Sequence, residues 1–440
     1  MSPLRSLASL LALAVLAAPV SAGESWTQFL GTASNATEAG DLPLEWSSDS
    51  DAIVWTAALP GPGSSSPVVL RDAAAGDRVF LTCYTGYGTE AVGVLADKND
   101  LVRHLLCFSA EGEELWRKSV PARQPEDDYN GFLREHGYAT NSPATDGQRV
   151  FVFHGKSGLF AYDLDGTELW SADLGQESTQ RQWGSAASPV VVDVPDVGPL
   201  VVVNAAEESA AVYAFHRETG EQVWKAEAAG LTQSYATPRV AEVDGRLQLI
   251  LPVPGEVWGL AADTGKLLWY AEVPLPGNTS PSATIHEGVA YVVGGRPGGA
   301  AAVKLGGKGD VTETNVLWTG SATSYVPSPV YKDGKLFMVT DKGIAAVVDA
   351  ETGERINQTR LSAGGGGFRG FVMYASVLLA GDRLYAVTRN DGTFVLSAND
   401  SLETLKQNTL EDEGQFNATP VAVEGRLYLR SDTTLYAIGR

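Results

Sequence analysis

Ser142-Pro143-Ala144-Thr145-Asp146-Gly147-Gln148-Arg149-Val150-Phe151-Val152-Phe153 opens the stretch whose reading decides the fold. It continues through Lys156-Ser157-Gly158 into Leu159-Phe160-Ala161-Tyr162-Asp163, turns at Asp165-Gly166 and ends at Glu168-Leu169-Trp170. Each apolar run is short, rich in Val, Leu, Phe and Tyr, and bounded by Gly, Asp or Pro, which is the pattern of a strand. Pro stands at a strand start, where its missing N–H breaks no ladder. Asp-Gly pairs supply the positive φ that tight hairpins need. The unit is therefore a four-stranded antiparallel meander ending in Trp.

The same order returns along the chain. Tyr213-Ala214-Phe215 with Thr219-Gly220 leads to Trp224, and Val257-Trp258-Gly259-Leu260 with Thr264-Gly265 leads to Trp269. Ser-Pro or Thr-Pro anchors place Pro at 67, 143, 189, 238, 281, 329 and 420, with a degenerate copy at Ala375-Ser376. After a first interval of 76 residues the spacings are 46, 49, 43, 48, 47 and 44, the length of a propeller blade. The long first interval carries insertions at Thr85 to Leu101 and Pro121 to Tyr138. Eight anchors predict eight blades. The final copy, Thr419-Pro420 to Ile438, lacks its Trp-ending strand, and Ile53-Val54-Trp55-Thr56-Ala57 supplies one from the other end of the chain. The reading is an all-β, eight-bladed β-propeller of four-stranded blades, closed by an N-terminal strand completing the last blade. A stacked, open solenoid is the alternative.

Outside the repeat, Arg5 followed by the apolar Leu7 to Ala18 and by Val20-Ser21-Ala22 reads as a secretory signal cleaved near Ala22. The expected organisation is a signal at 1–22, an N-terminal extension at 23–52 and one propeller domain at 53–440, exported to the periplasm or secreted. No later segment has the roughly 18 apolar residues of a membrane helix, so no transmembrane anchor is expected. With 53 acidic against 32 basic residues in 440, the net charge of −21 argues against a nucleic-acid partner.

Leu159-Phe160-Ala161-Tyr162-Asp163 through Leu169-Trp170, Thr264-Gly265-Lys266-Leu267-Leu268-Trp269 and Glu351-Thr352-Gly353-Glu354 resemble the PQQ-like (pyrroloquinoline quinone-like) propeller repeat. Trp26-Thr27-Gln28-Phe29-Leu30-Gly31 and Arg134-Glu135-His136-Gly137-Tyr138 are similar to exported bacterial proteins of the outer-membrane assembly factor BamB family. The resemblance covers nearly all of residues 26–439 and is specific for fold and not for function, because the repeat recurs in enzymes and in scaffolds. It implies two functions. One is a non-enzymatic scaffold for a protein or peptide of an envelope or secreted assembly, with a small molecule or glycan as a further ligand, no cofactor and a monomeric state. The other is a PQQ-dependent dehydrogenase with PQQ and calcium on the axis. Alcohol-oxidising members of that type bridge adjacent cysteines over the quinone; here Cys83 and Cys107 are far apart in sequence, which removes that signature.

Cys83 and Cys107 fall on neighbouring strands of the first blade, where either a disulfide or two buried free thiols is expected. The five histidines show no metal-ligand spacing, so no metal site is expected. Gly364 to Gly367 is followed by no helix pattern and reads as an interblade loop, and Ser64-Ser65-Ser66 as a strand-leading loop. In a propeller, the loops leading into each first strand and the turns between the second and third strands share one face. The former carry Arg134, Glu135, His136, Tyr138, Trp183, Tyr235, Tyr325, Tyr374 and Phe416; the latter carry His154, Lys156, Glu207, Glu208, Glu256, Arg296, Arg389, Arg430 and Asp432. Arg134, Glu135, His136, Tyr138, His154, Trp183, Glu207, Tyr235, Tyr325, Tyr374, Arg389 and Arg430 are the candidate partner-binding residues, because aromatics interleaved with charges suit capture of a peptide, glycan or small molecule. The insertion Gln124-Pro125-Glu126-Asp127-Asp128-Tyr129 is the most distinctive single segment.

Overall fold

The computed structural model describes residues 25–37, 41–72, 76–89, 96–128, 136–295, 298–361 and 372–439. The proposed signal, Arg134, Glu135, Arg296 and the Gly364 to Gly367 run lie outside the described residues.

Eight antiparallel sheets form in chain order, each a meander of the predicted kind. Blade I comprises Val68–Leu70, Arg78–Thr85, Val102–Ser109 and Glu114–Pro121; blade II comprises Ala144–Thr145, Arg149–Phe153, Leu159–Asp163 and Glu168–Ala172. The first strands of blades III to VIII begin at Val190, Arg239, Thr284, Val330, Leu378 and Val421. Ile53–Ala58 pairs antiparallel with Thr434–Gly439 and completes blade VIII, as the sequence predicts. Two blades gain a fifth strand that the repeat does not announce: Gly309–Asp310 runs parallel to the outer strand of blade IV, and Ala36–Thr37 runs parallel to the inner strand of blade VII.

The core is a set of layers between blades. Blades I and II share Val68, Phe80, Leu105 and Cys107 with Val150, Val152 and Tyr162, and blades II and III share Phe151, Phe153 and Ala161 with Val201, Val203 and Phe215. Because side chains alternate across a strand, each blade contributes one face to each neighbour. That alternation decides the cysteines. Cys83 faces the layer shared with blade VIII and Cys107 the layer shared with blade II, on opposite faces of one sheet. Cys83 stands opposite His104, and Cys107 opposite Phe80. Both thiols are free and buried, so the disulfide alternative does not hold.

Two devices join the blades, and both are written in the repeat. The first is the Trp. In every outer strand the ladder skips one residue, a bulge at the position before the Trp or its equivalent: Val54, Leu115, Leu169, Val223, Leu268, Leu317, Ile356 and Leu405. In seven of the eight the bulged aliphatic is exposed and interrupts the edge, which protects it from pairing with another chain, whereas Leu268 packs against the layer between blades IV and V. Five of the six indoles bond the next blade, whereas Trp269 Nε1 donates to Gln248 Oε1 of its own blade. Trp55 Nε1 donates to Ala110 O at 2.7 Å, Trp116 to Leu164 O at 2.9 Å, Trp170 to Arg217 O at 2.9 Å, Trp224 to Ala262 O at 3.0 Å and Trp318 to Ala350 O at 2.9 Å. Each ring lies on the turn glycine of that next blade. At Gly220 (φ +73°) a Cβ would come within 2.6 Å of the Trp170 ring, so this glycine serves both the turn and the packing.

The second device is the anchor hydroxyl. Ser66 N–H donates to Ser142 Oγ, Ser142 to Ser188, Ser188 to Thr237, Thr237 to Ser282, Ser282 to Ser328, Ser328 to Ser376, Ser376 to Thr419, and Thr419 back to Ser66, at 2.8–3.1 Å. The eight bonds close a ring around the axis, and all eight residues are buried. At about 1 kcal/mol net each they amount to about 8 kcal/mol, comparable to the whole stability of a typical domain. In blade V the ring residue is Ser282, after Pro281, and not Ser280 of the expected anchor.

Candidate functional site

In extended backbone, residues two apart point the same way. The positions two before the ring hydroxyls are Ser64, Thr140, Ala186, Tyr235, Ser280, Val326, Tyr374 and Asn417, and all eight line one axial funnel. His136, Trp183 and Tyr325 widen its mouth, and six ring residues, Ser66, Ser188, Thr237, Ser328, Ser376 and Thr419, form its deeper wall. The funnel holds about 1030 Å³ of empty space, open solvent at its mouth included. Trp183 and Tyr235 stack at 5.7 Å with 27° between planes, and Arg181 lies over the outer ring at 5.4 Å. Burial pushes His136 down to about 4, so its imidazole is neutral at pH 7. Its Nδ1 lies 3.1 Å from Thr140 Oγ1.

The segment after Ser25 approaches the axis from the other end. Trp26 pairs with Val69 of blade I, Thr145 N–H of blade II donates to Thr27 O, and Val191 N–H of blade III donates to Gln28 Oε1. The buried Arg239 guanidinium of blade IV donates to the carbonyls of Phe29, Gly31 and Thr32. Asn35 Nδ2 then donates to Val377 O of blade VII at 2.7 Å. This path carries Phe29 into the funnel lining. The N-terminal extension is thus packed against the propeller.

Five of the predicted residues converge on the funnel: His136, Trp183, Tyr235, Tyr325 and Tyr374. The others are placed differently. Arg389 is fully buried behind Tyr374, 5.1 Å from its ring, with Nε donating to Asn417 Oδ1 at 3.0 Å. Arg430 is a strut from blade VIII to blade I, donating to Thr82 O at 2.7 Å and Ser65 Oγ at 3.0 Å. Neither is a rim charge, because amide oxygens of Asn417 and Gln415 hold the Arg389 guanidinium and oxygens of Ser65 and Thr82 hold that of Arg430 inside the fold. His154 is buried against Phe160 and pushed down to about 3 by burial, with Arg103 adding to the effect. Phe416 packs on Tyr436. None of these four lines the funnel.

Tyr138 and Glu207 belong to a second, polar cavity that touches the funnel at Gly184. Here the distinctive insertion turns inward. Glu126 pairs with Arg103 at 2.6 Å, and Asp127 with Lys156 at 3.1 Å, all four side chains being buried. Ser178 Oγ donates to Asp127, and Thr179 Oγ1 to Glu207 at 2.8 Å. The insertion is a strap neutralised by its own propeller, and of its three acidic residues only Asp128 is exposed, holding Tyr87 and Lys98. Glu208, on the same cavity, has an Oε2 without a partner among the described residues. Burial pushes its carboxyl up to about 8, with the charges of Glu207 and Glu126 adding to the rise.

Calcium needs several oxygen ligands including carboxylates, and PQQ carries three carboxylates that need cations. The described funnel lining offers hydroxyls, aromatic rings, one amide and a neutral imidazole, with neither carboxylate nor cation. Among the described residues no group of three or more His, Cys, Asp or Glu side chains is arranged to hold a metal. The donor set does not fit that cofactor.

Among the described residues no helix is long and apolar enough to cross a membrane. The chain is 24% identical over 285 residues to the outer membrane protein assembly factor BamB of Yersinia pestis, covering 62% of this chain and 67% of that protein. The BamB crystal structure from Moraxella catarrhalis superposes with a TM-score of 0.60 at 14% identity, over 88% of this chain and 97% of that one. A europium-containing methanol dehydrogenase superposes with a TM-score of 0.63 at 10% identity, over 95% and 98%, which shows a shared fold and nothing of activity. The sequence matches the family described as outer membrane protein assembly factor BamB over residues 44–248 and 102–359, and with the closed ring of PQQ-like repeats described above, the chain belongs to that family.

Proposed function

We propose that this protein is an exported, non-enzymatic interaction scaffold whose funnel-side face docks a protein or peptide of the cell envelope. The observation that carries this reading is the aromatic mouth, to which His136, Trp183, Tyr235, Tyr325 and Tyr374 contribute from five blades, while Phe29 occupies the axis from the opposite side. Aromatic side chains at a concave, partly open mouth offer large contact area at low entropic cost. Family membership supports an envelope role, since the related proteins are named as outer-membrane assembly factors. The mismatch between the funnel lining and the quinone–calcium donor set weighs against the dehydrogenase reading.

The test is affinity capture from envelope extract with the wild-type protein and with Trp183→Ala and Tyr325→Ala. Partners lost in both variants, with melting temperatures unchanged, support the reading. Partners retained in both count against the mouth. A melting-temperature rise on adding PQQ and calcium, with dye-linked alcohol oxidation, would overturn the scaffold.

A further inference from the structure

The ring hydroxyls do more than close the propeller. Each uses a lone pair to accept the amide N–H of the preceding blade. Six of them, Ser66, Ser188, Thr237, Ser328, Ser376 and Thr419, also line the funnel, and no acceptor for their O–H protons is found among the described residues. A hydroxyl is both donor and acceptor, so each carries a donor that a group inside the funnel can accept. Above them the lining is aromatic, with Trp183 and Tyr235 stacked and Tyr374 braced by Arg389. No described lining residue is ionised at neutral pH, His136 included.

We propose that the group received by the funnel is a neutral sugar ring. This rests on the reading that the funnel-side face is the binding face, and goes beyond it by assigning the funnel itself a ligand besides the protein or peptide docked on that face. A pyranose has apolar C–H faces that lie on indole and phenol rings, and oxygens around its whole perimeter that accept from donors arranged around an axis. An aromatic side chain of a peptide would use the rings but leave the hydroxyl donors unsatisfied. A carboxylate or ammonium would lose its hydration without gaining a countercharge from the described lining.

The test is a titration followed by Trp fluorescence, using a neutral methyl glycoside, a neutral β-linked disaccharide, glucuronate and N-acetyl-tyrosine amide as probes. The neutral sugars should saturate with a Kd of about 1 mM or tighter. Trp183→Ala and Tyr374→Ala, each checked for an unchanged melting temperature, should weaken them about tenfold or more, read by calorimetry because the first variant removes the reporter. Co-sedimentation with an insoluble neutral polysaccharide distinguishes a polymer-borne sugar from a free one. Saturable binding of glucuronate or the tyrosine amide alone, or no saturable binding of any probe, overturns the sugar assignment. If the captured envelope partners still depend on Trp183 and Tyr325 in that case, the docking face stands and only the ligand class falls.

Discussion

Replacing Ser142 by Ala tests the hydroxyl ring most cleanly. The Ser66 N–H donates to Ser142 Oγ at 2.8 Å, both residues are buried at 2% and 1% exposure, and Ser142 is outside the funnel lining. The variant removes the acceptor and leaves the amide facing Cβ. A typical hydrogen bond contributes about 1 kcal/mol, and a buried donor left unpaired costs about 1–3 kcal/mol. The expected loss is therefore about 1–3 kcal/mol, read as a lower urea midpoint at unchanged slope by Trp fluorescence and circular dichroism. Ser50→Ala, at a local turn where Ser50 Oγ donates to Ser47 O, is the control and should stay within about 0.5 kcal/mol. A Ser142→Ala loss no larger than the control's would refute the claim that the ring bonds hold adjacent blades together.

Three further outcomes follow from the same structure. Gly220→Ala should destabilise by about 1–3 kcal/mol more than Gly147→Ala, since both have positive φ but only Gly220 meets a Trp ring, while Gly147 has open space; urea unfolding of the pair isolates the packing effect. Glu208 is raised to about 8 in the fold from 4.5, so the unfolded chain ionises first and this carboxyl contributes stability that is lost as pH rises from 4.5 to 8, by up to about 1.4 kcal/mol per unit; because the buried histidines, pushed down in the fold, act in the opposite sense below pH 6.5, the contribution is read as the difference between Glu208→Gln and wild type, which should move in the variant's favour across the window in denaturation curves. Burial pushes Cys83 and Cys107 up to about 12, so a thiol reagent should leave both unmodified in the native protein at pH 8 and label both in denaturant, with reductant leaving the melting temperature unchanged.

The parts of this molecule legible in sequence are those that repeat. Ser or Thr beside Pro and the Asp-Gly and Thr-Gly turns recur because each makes the same contact in blade after blade, five of the Trp repeat one interblade contact, and the strand that completes the eighth blade is visible as Ile53 to Ala57. What did not repeat was hidden. Gln28 and Phe29 act by crossing the axis, which no local pattern announces. Arg389 and Arg430 look like rim charges because their partners, Asn417, Ser65 and Thr82, come from other blades. The acidic insertion stands out in the sequence, but its inward fold depends on Arg103 and Lys156, which lie far from one another in the chain. A further signal lies in the spacing: counting two residues back from each Ser or Thr anchor finds seven of the eight residues of this funnel layer, including Tyr235, Tyr374 and Asn417, while in blade V the anchor Ser280 is itself the lining residue.

The central claim is that the funnel-side face is the binding face. Site-specific photo-crosslinking in envelope extract addresses it directly, with a photoreactive residue at Tyr325 at the mouth and, in a second protein, at Asp333 in the turn at the far end of the same blade's first strand. Adducts from position 325 and none from 333 are predicted. Adducts from 333 with none from 325 would contradict the account.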